Sequence, residues 1–297
     1  MVVRAPLAGL LHFALLAAGS AQAAVPEMLA KSVISVPVSV AAPAFTPDGS
    51  TVYFHRKEGD ERTIYFSHKE GESWSAPAVA SFAQQWTNIE PAMAPDGSFM
   101  IFASNRPIDG SGKVLDGNWG NSPEPGRGGN LWRVDRARSG WSPPRRLPAE
   151  VNQGTSVFAP AVSNNGMLLF MKPGADGLFH LFEAHPKGAS YAVEPLSFSK
   201  DGVSDYDPAI GQDGSYIVFC SNRGEAKRSA IYIAFRSANG GWSAPKRLPD
   251  ALNSASDVTE LRLSPDESRL YFAHDNSIWS VAFAAVREQL RSALERP

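Results

Sequence analysis

The sequence predicts an all-β chain built as a ring of four-stranded antiparallel blades, and three observations carry that prediction. A turn signal of the form Pro-Asp-Gly, or a close variant, recurs five times along the chain. Alternating apolar residues flank each copy. Two further aromatic-marked segments follow each of the first four copies, and one follows the last. Self-similar units of four short strands at a period of about 50 residues are the sequence signature of propeller blades.

The five copies are APAFTPDGSTVYFHR (42–56), EPAMAPDGSFMIFASNR (90–106), APAVSNNGMLLFMK (159–172), DPAIGQDGSYIVFCSNR (207–223) and ELRLSPDESRLYFAH (260–274). The turn positions are Gly49, Gly97, Gly166, Gly214 and Glu267, spaced by 48, 69, 48 and 53 residues. Proline presets φ, aspartate bonds the turn backbone, and glycine supplies a positive φ, so each copy reads as a β-hairpin. Phe54, Phe102, Phe170, Phe219 and Phe272 close the second strands. An aliphatic-aromatic pair then opens a third strand: Ile64-Tyr65, Leu131-Trp132, Leu178-Phe179, Ile231-Tyr232 and Ile278-Trp279. Trp74, Trp141, Tyr191 and Trp242 begin proline-containing fourth strands, which belong at sheet edges because proline donates no hydrogen bond. Trp74, Trp141 and Trp242 read as packing between blades.

Five hairpins predict a five-bladed β-propeller, with six blades, one of them degenerate, as the alternative. The last unit lacks a fourth strand. The alternating stretch 33–40 (VISVPVSV) has the character of one and is predicted to close the ring. Val286, Leu290, Ala293 and Leu294 mark a short amphipathic helix after the last blade. The domain reading is a signal peptide at 1–23, a linker at 24–32, the propeller at 33–283 and a helical tail at 284–297.

Arg4, an apolar run from Leu7 to Ala18 and the Ala21-Gln22-Ala23 triplet compose a secretory signal. The run is too short to cross a bilayer. The expected location is periplasmic or secreted. With 28 Lys+Arg against 30 Asp+Glu, charge gives no reason to expect nucleic acid. One cysteine excludes an internal disulfide framework; Cys220 reads as a small core residue. The five histidines after the signal, His55, His68, His180, His185 and His274, match no metal-binding spacing, and no metal or cofactor is expected.

The run x-P-A-x-x-P-D-G-x-x-x-x-F-x-S-N-R resembles the WD-repeat-like β-propeller repeat of TolB and many exported bacterial proteins, over roughly residues 33–282. The resemblance implies an exported propeller, here without the additional N-terminal domain of TolB. It says almost nothing about activity.

Registering the repeats gives a candidate site. Glu90, Asp207 and Glu260 stand six residues before their turn aspartates, where the inner strands begin at the channel mouth. Arg106 and Arg223 follow Ser-Asn ten residues after theirs, on the same face. Two readings stay open for these charges: a ring that grips a polar partner, or arginines paired with carboxylates of neighbouring blades. The second unit carries 17 extra residues within 107–129, on that same face. That segment reads as a flexible loop, a partner-contacting lid with Trp119 as contact residue, or a calcium loop built on Asp109, Asp116, Asn118 and Asn121. The expected function is non-catalytic binding of a protein or peptide partner in the cell envelope, through Glu90, Asp207, Glu260, Arg106, Arg223 and Trp119. The alternative is a carbohydrate-active hydrolase or lyase using the channel carboxylates; a pure scaffold is a third reading.

Overall fold

The computed structural model describes residues 25–109, 112–224, 228–253 and 257–294. The segment read as a signal peptide lies outside them. Among the described residues no helix is long and apolar enough to cross a membrane.

Five four-stranded antiparallel blades make the ring. The first runs Val40–Phe45, Thr51–Glu58 and Glu61–Glu70, with Ser73–Trp74 and Ala78–Val79 as two outer pieces. The second is Asn88–Met93, Phe99–Ser104, Asn130–Asp135 and Arg145–Arg146. The third is Phe158–Val162, Leu168–Pro173, Phe179–Lys187 and Ser190–Pro195. The fourth is Asp205–Ile210, Tyr216–Ser221, Ala230–Phe235 and Lys246–Arg247. The fifth is Thr259–Leu263, Arg269–His274, Ser277–Ala282 and, from the other end of the chain, Glu27–Met28.

The turn chemistry is the predicted one. Asp48, Asp96, Asn165, Asp213 and Asp266 each accept, through Oδ1, the N–H two residues on, at 2.8–3.1 Å. The glycines that follow in the first four turns take φ between 67° and 78°. Glu267 holds the left-handed conformation without being glycine, with φ 55°. Its carboxylate explains the exception: it accepts from the Tyr216 hydroxyl (2.9 Å), the Gln212 N–H (2.5 Å) and Arg287 (2.7 Å). It thereby joins the fourth blade, the fifth blade and helix α1 (Ala284–Leu294). Val286 and Leu290 of that helix pack on the core shared by those two blades.

Two details of the sequence reading change. The strand closing the ring is Glu27–Met28, within the stretch read as a linker, and not 33–40. The apolar residues of 33–40 have another use: Ile34 is fully buried, and Val33 and Val38 pack with it beneath the first and fifth blades. In the third blade, Phe170 faces Phe182, so the pair marking the third strand is Leu181-Phe182. Leu178-Phe179 lies three residues earlier, and Phe179 is released for another role.

Two of the fourth-strand aromatics, Trp141 and Trp242, peg blades together. The Trp141 indole donates to the Tyr53 hydroxyl of the first blade (3.0 Å), and that of Trp242 to Glu183 of the third (3.2 Å). Cys220 is fully buried.

Candidate binding site at the channel mouth

Each inner strand carries a bulge at the same place. There Ala42, Glu90, Ala159, Asp207 and Glu260 all adopt φ between 50° and 55°. A non-glycine residue in this region costs of order 1 kcal/mol, and persists only where its surroundings hold it. Here neighbouring blades hold it. The Glu90 N–H donates to His55 Nδ1 (3.2 Å), the Ala159 N–H to Glu90 Oε2 (2.6 Å) and the Glu260 N–H to Asp207 Oδ2 (2.8 Å). Each bond ties one blade to the next.

The three predicted carboxylates therefore converge. Burial pushes the Glu90 carboxyl up to about 7, helped by the charge of Asp207 and opposed by the Ala159 N–H, Arg262 and Arg62. Burial raises Asp207 as well, against the Glu260 N–H and Arg262. Glu260 is raised well above the usual carboxylate range by burial and by the charges of Glu90 and Asp207. Burial, with the charges of Arg62 and Arg262, lowers His55 to about 3. His55 is thus neutral near pH 7, and its 3.4 Å approach to Glu260 is no ion pair.

The balancing cation is Arg262. In the repeat x-P-A the third position is Ala44, Ala92, Ala161 and Ala209; the fifth blade places arginine there. These five residues line a 90 Å³ space further down the channel. Arg262 is buried, and its Nε donates across the channel to the carbonyl of Pro91 (3.2 Å). The three carboxylates favour its charge and partly offset the cost of burying it. The signal was present in the sequence, as one break in a fivefold alanine.

Arg106 and Arg223 stand elsewhere. Each takes the Ser104 or Ser221 hydroxyl through Nε (3.1 and 3.0 Å) and then clamps its own blade. Arg106 donates to Asn88 Oδ1 (2.8 Å) and lies over Phe102 and Trp132. Arg223 forks onto Asp205 (2.7 Å to each oxygen) and lies over Phe198, Phe219 and Tyr232. Neither pairs with a neighbouring blade. The partners Asn88 and Asp205 precede Glu90 and Asp207 by two residues, so the clamp is part of the repeat.

The described part of 107–129 is a hairpin, Gly117–Trp119 with Ser122–Glu124. It reaches across to the third blade: the Gly120 N–H bonds the Gly177 carbonyl (2.8 Å), and Thr155 bonds the carbonyl of Asp116 (2.6 Å). Trp119 packs edge-on against Phe158 (5.7 Å) and lies beside Phe179 (6.1 Å). These rings wall a cavity of 430 Å³ at the mouth, between the first three blades. Glu90, Thr87 and Asn105 line it with them; Lys57, Asp60, Arg62 and Arg127 supply charge. Lys57 and Arg62 escaped the sequence reading because they sit on a hairpin extension outside the repeat.

Two histidine-carboxylate clusters lie on the third blade, Asp176–His180–Asp201 and Glu183–His185–Glu194. Both are engaged in the protein. Asp176 accepts from the Leu178 and Gly202 N–H groups and meets His180 (2.9 Å), while Glu183 takes Arg236 and Trp242.

The chain matches no protein-family model and none of the curated proteins. Its likeness is to solved propellers. TolB from Acinetobacter baumannii superposes with a TM-score of 0.53 at 15% identity, over 83% of this chain and 55% of TolB. The chain thus spans about half of that protein. A protein of unknown function from Dyadobacter fermentans gives 0.52 at 15% identity, over 84% and 79% of the two chains. A thermostable family-43 glycoside hydrolase gives 0.53 at 13%, over 85% and 91%. The likeness is one of fold, that of a β-propeller.

Proposed function

We propose that this is an exported binding propeller that receives an extended segment of a protein or peptide partner at the channel mouth and performs no chemistry on it. One observation carries the reading. Glu90, Asp207 and Asn105 are held by main-chain groups, whereas Lys57 and Arg62 line the cavity beside its aromatic rings with no ion-pair partner among the described residues. Glu90 holds the Ala159 N–H, and Asn105 holds both the Thr87 N–H (2.9 Å) and the Gly126 carbonyl (2.9 Å). Such a wall selects apolar and charged groups of a chain. TolB-like architecture is compatible with a protein partner.

The test is affinity for peptides selected on the purified mature chain, compared with Trp119→Ala and Phe179→Ala. Truncating an aromatic anchor is expected to weaken binding roughly tenfold or more. Unchanged affinity in both variants removes the mouth as the site. For export, N-terminal sequencing of the protein from culture should begin at Ala24; an intact Met1 in the cell extract alone counts against it.

A second reading has one observation in its favour. Glu90 lines the cavity with a carboxyl raised to about 7, which suits a general acid. Release of reducing sugar from a glycan panel, abolished by Glu90→Gln, establishes a carbohydrate-active enzyme instead.

A further inference from the structure

We infer that the segment bound at the mouth is acidic: a peptide carboxylate seated between Lys57 and Arg62, with a neighbouring apolar side chain against Trp119, Phe158 and Phe179. This rests on the peptide-binding reading above and adds the chemistry of the partner.

The first blade's hairpin strands, Thr51–Glu58 and Glu61–Glu70, run beyond the blade and overhang the mouth. In their ladder Lys57 faces Arg62 directly. Like charges directly opposite destabilise a strand pair. Both side chains are half-buried and line the cavity. Among the described residues neither has a carboxylate within 4.0 Å. Glu90 and Glu260 feel the Arg62 charge from the channel, beyond ion-pair distance. Asp60, at the hairpin tip, also lines the rim without closing an ion pair with either cation. Arg127, the third cation, is already engaged: it pairs with Glu124 (2.8 Å) and lies over the Trp119 ring. Two cations held face to face, part-desolvated and without a direct ion-pair partner among the described residues, form a receptor for an anion, and a guanidinium favours the planar carboxylate.

The remainder of the wall decides what bears that carboxylate. A saccharide needs neutral donors and acceptors for its hydroxyls. Asn105 and Glu90 are bonded to main chain, and Ile89, Met171, Phe158, Phe179 and Trp119 are apolar. Free charge beside an apolar wall fits an acidic peptide with an aromatic or aliphatic neighbour better than a polyhydroxyl chain.

The experiment pans a displayed random-peptide library against the mature chain, then measures a selected peptide and its Asp→Asn, Glu→Gln analogue by calorimetry. Acidic residues adjoining apolar ones are expected in the selected set. The amide analogue is expected to bind at least tenfold more weakly, and Arg62→Gln to weaken the acidic peptide by roughly tenfold while leaving the analogue unchanged. Affinity should fall with added salt. Lys187→Gln, at an exposed strand end, is the control that retains parent affinity. Peptides selected without acidic enrichment, or equal losses for both peptides in Arg62→Gln, overturn the acidic assignment and leave the peptide reading standing. Failure to select any peptide removes the peptide reading and this inference with it. An oligouronate that binds more tightly than every peptide, and is lost in Arg62→Gln, replaces the acidic peptide with an acidic glycan.

Discussion

The two ends of the channel use the same residue types in opposite ways. At the turn end, aspartates sit at the surface and accept hydrogen bonds from the turns they begin. Asp48 is held down to about 2 by Thr46 and Ser50, and Asp96 is lowered by Ser98. At the mouth, Glu90 and Asp207 are buried and Glu260 part-buried, and the three rise above their ordinary values. Four of the five turns use positive-φ glycines, while the mouth forces alanine and acid side chains into the same conformation. Local chemistry satisfies one end. The other is satisfied only by neighbouring blades, which hold the strained conformation in place.

The largest expected break in this contrast comes from Arg262→Ala, which restores the repeat's own alanine. It leaves three carboxylates without their cation, and loss of one partner from buried charge costs about 3 kcal/mol. The carboxylates can protonate instead, so the loss should be large near pH 8 and smaller near pH 5. Urea midpoints at the two pH values measure it, and an equal loss at both pH values contradicts the charge assignment.

The pH dependence of the parent sharpens the same comparison. A carboxyl whose folded value lies above its unfolded one binds more protons in the native state, so stability falls as pH rises between the two values. For Glu90 that window runs from about 4.5 to about 7, and Glu260 extends it in the same direction. The turn aspartates act with the opposite sign: their contribution is present above about 4 and lost as pH falls toward about 2. The melting temperature should therefore peak in mildly acidic buffer. Glu90→Gln is expected to flatten the alkaline limb and leave the acid limb unchanged.

The turn end supplies the next step down. Asp96→Ala removes a turn bond to the Ser98 N–H (2.9 Å) and should cost about 1 kcal/mol, the usual worth of such a bond. Affinity at the mouth is expected to stay at the parent value. A variant that loses binding without losing stability assigns the site to the wrong end.

The same contrast sets how far the sequence could be read. Pro-Asp-Gly with alternating apolar flanks is a local signal, and it located all five hairpins and the five-bladed ring. The closing strand Glu27–Met28 has two residues and no periodicity to detect, while 33–40 alternates like a strand yet spends its apolar residues on the core. Glu90, Asp207 and Glu260 were legible because they share one register. Arg106 and Arg223 were legible as a pair, but their direction depends on Asn88 and Asp205 in the adjoining strand. Phe179 was misregistered by three residues. The cavity draws on three blades and an insertion, and no local pattern announces such a convergence.

The smallest expected effect is the most specific to the mouth. Lys57 faces Arg62 across the ladder and holds no carboxylate among the described residues. If that pair exists for stability, Lys57→Gln should lower the melting temperature; if it exists for an anion, removing the repulsion should raise it. The expected gain is a few tenths of a kcal/mol, the scale of a single cross-strand pair. The gain should shrink as salt rises, because screening already weakens the repulsion in the parent. Affinity for an acidic peptide should fall in the same variant. A residue that stabilises the fold when neutralised and weakens binding at the same time has been retained against stability. A lower melting temperature at low salt returns Lys57 to an ordinary place in the sheet.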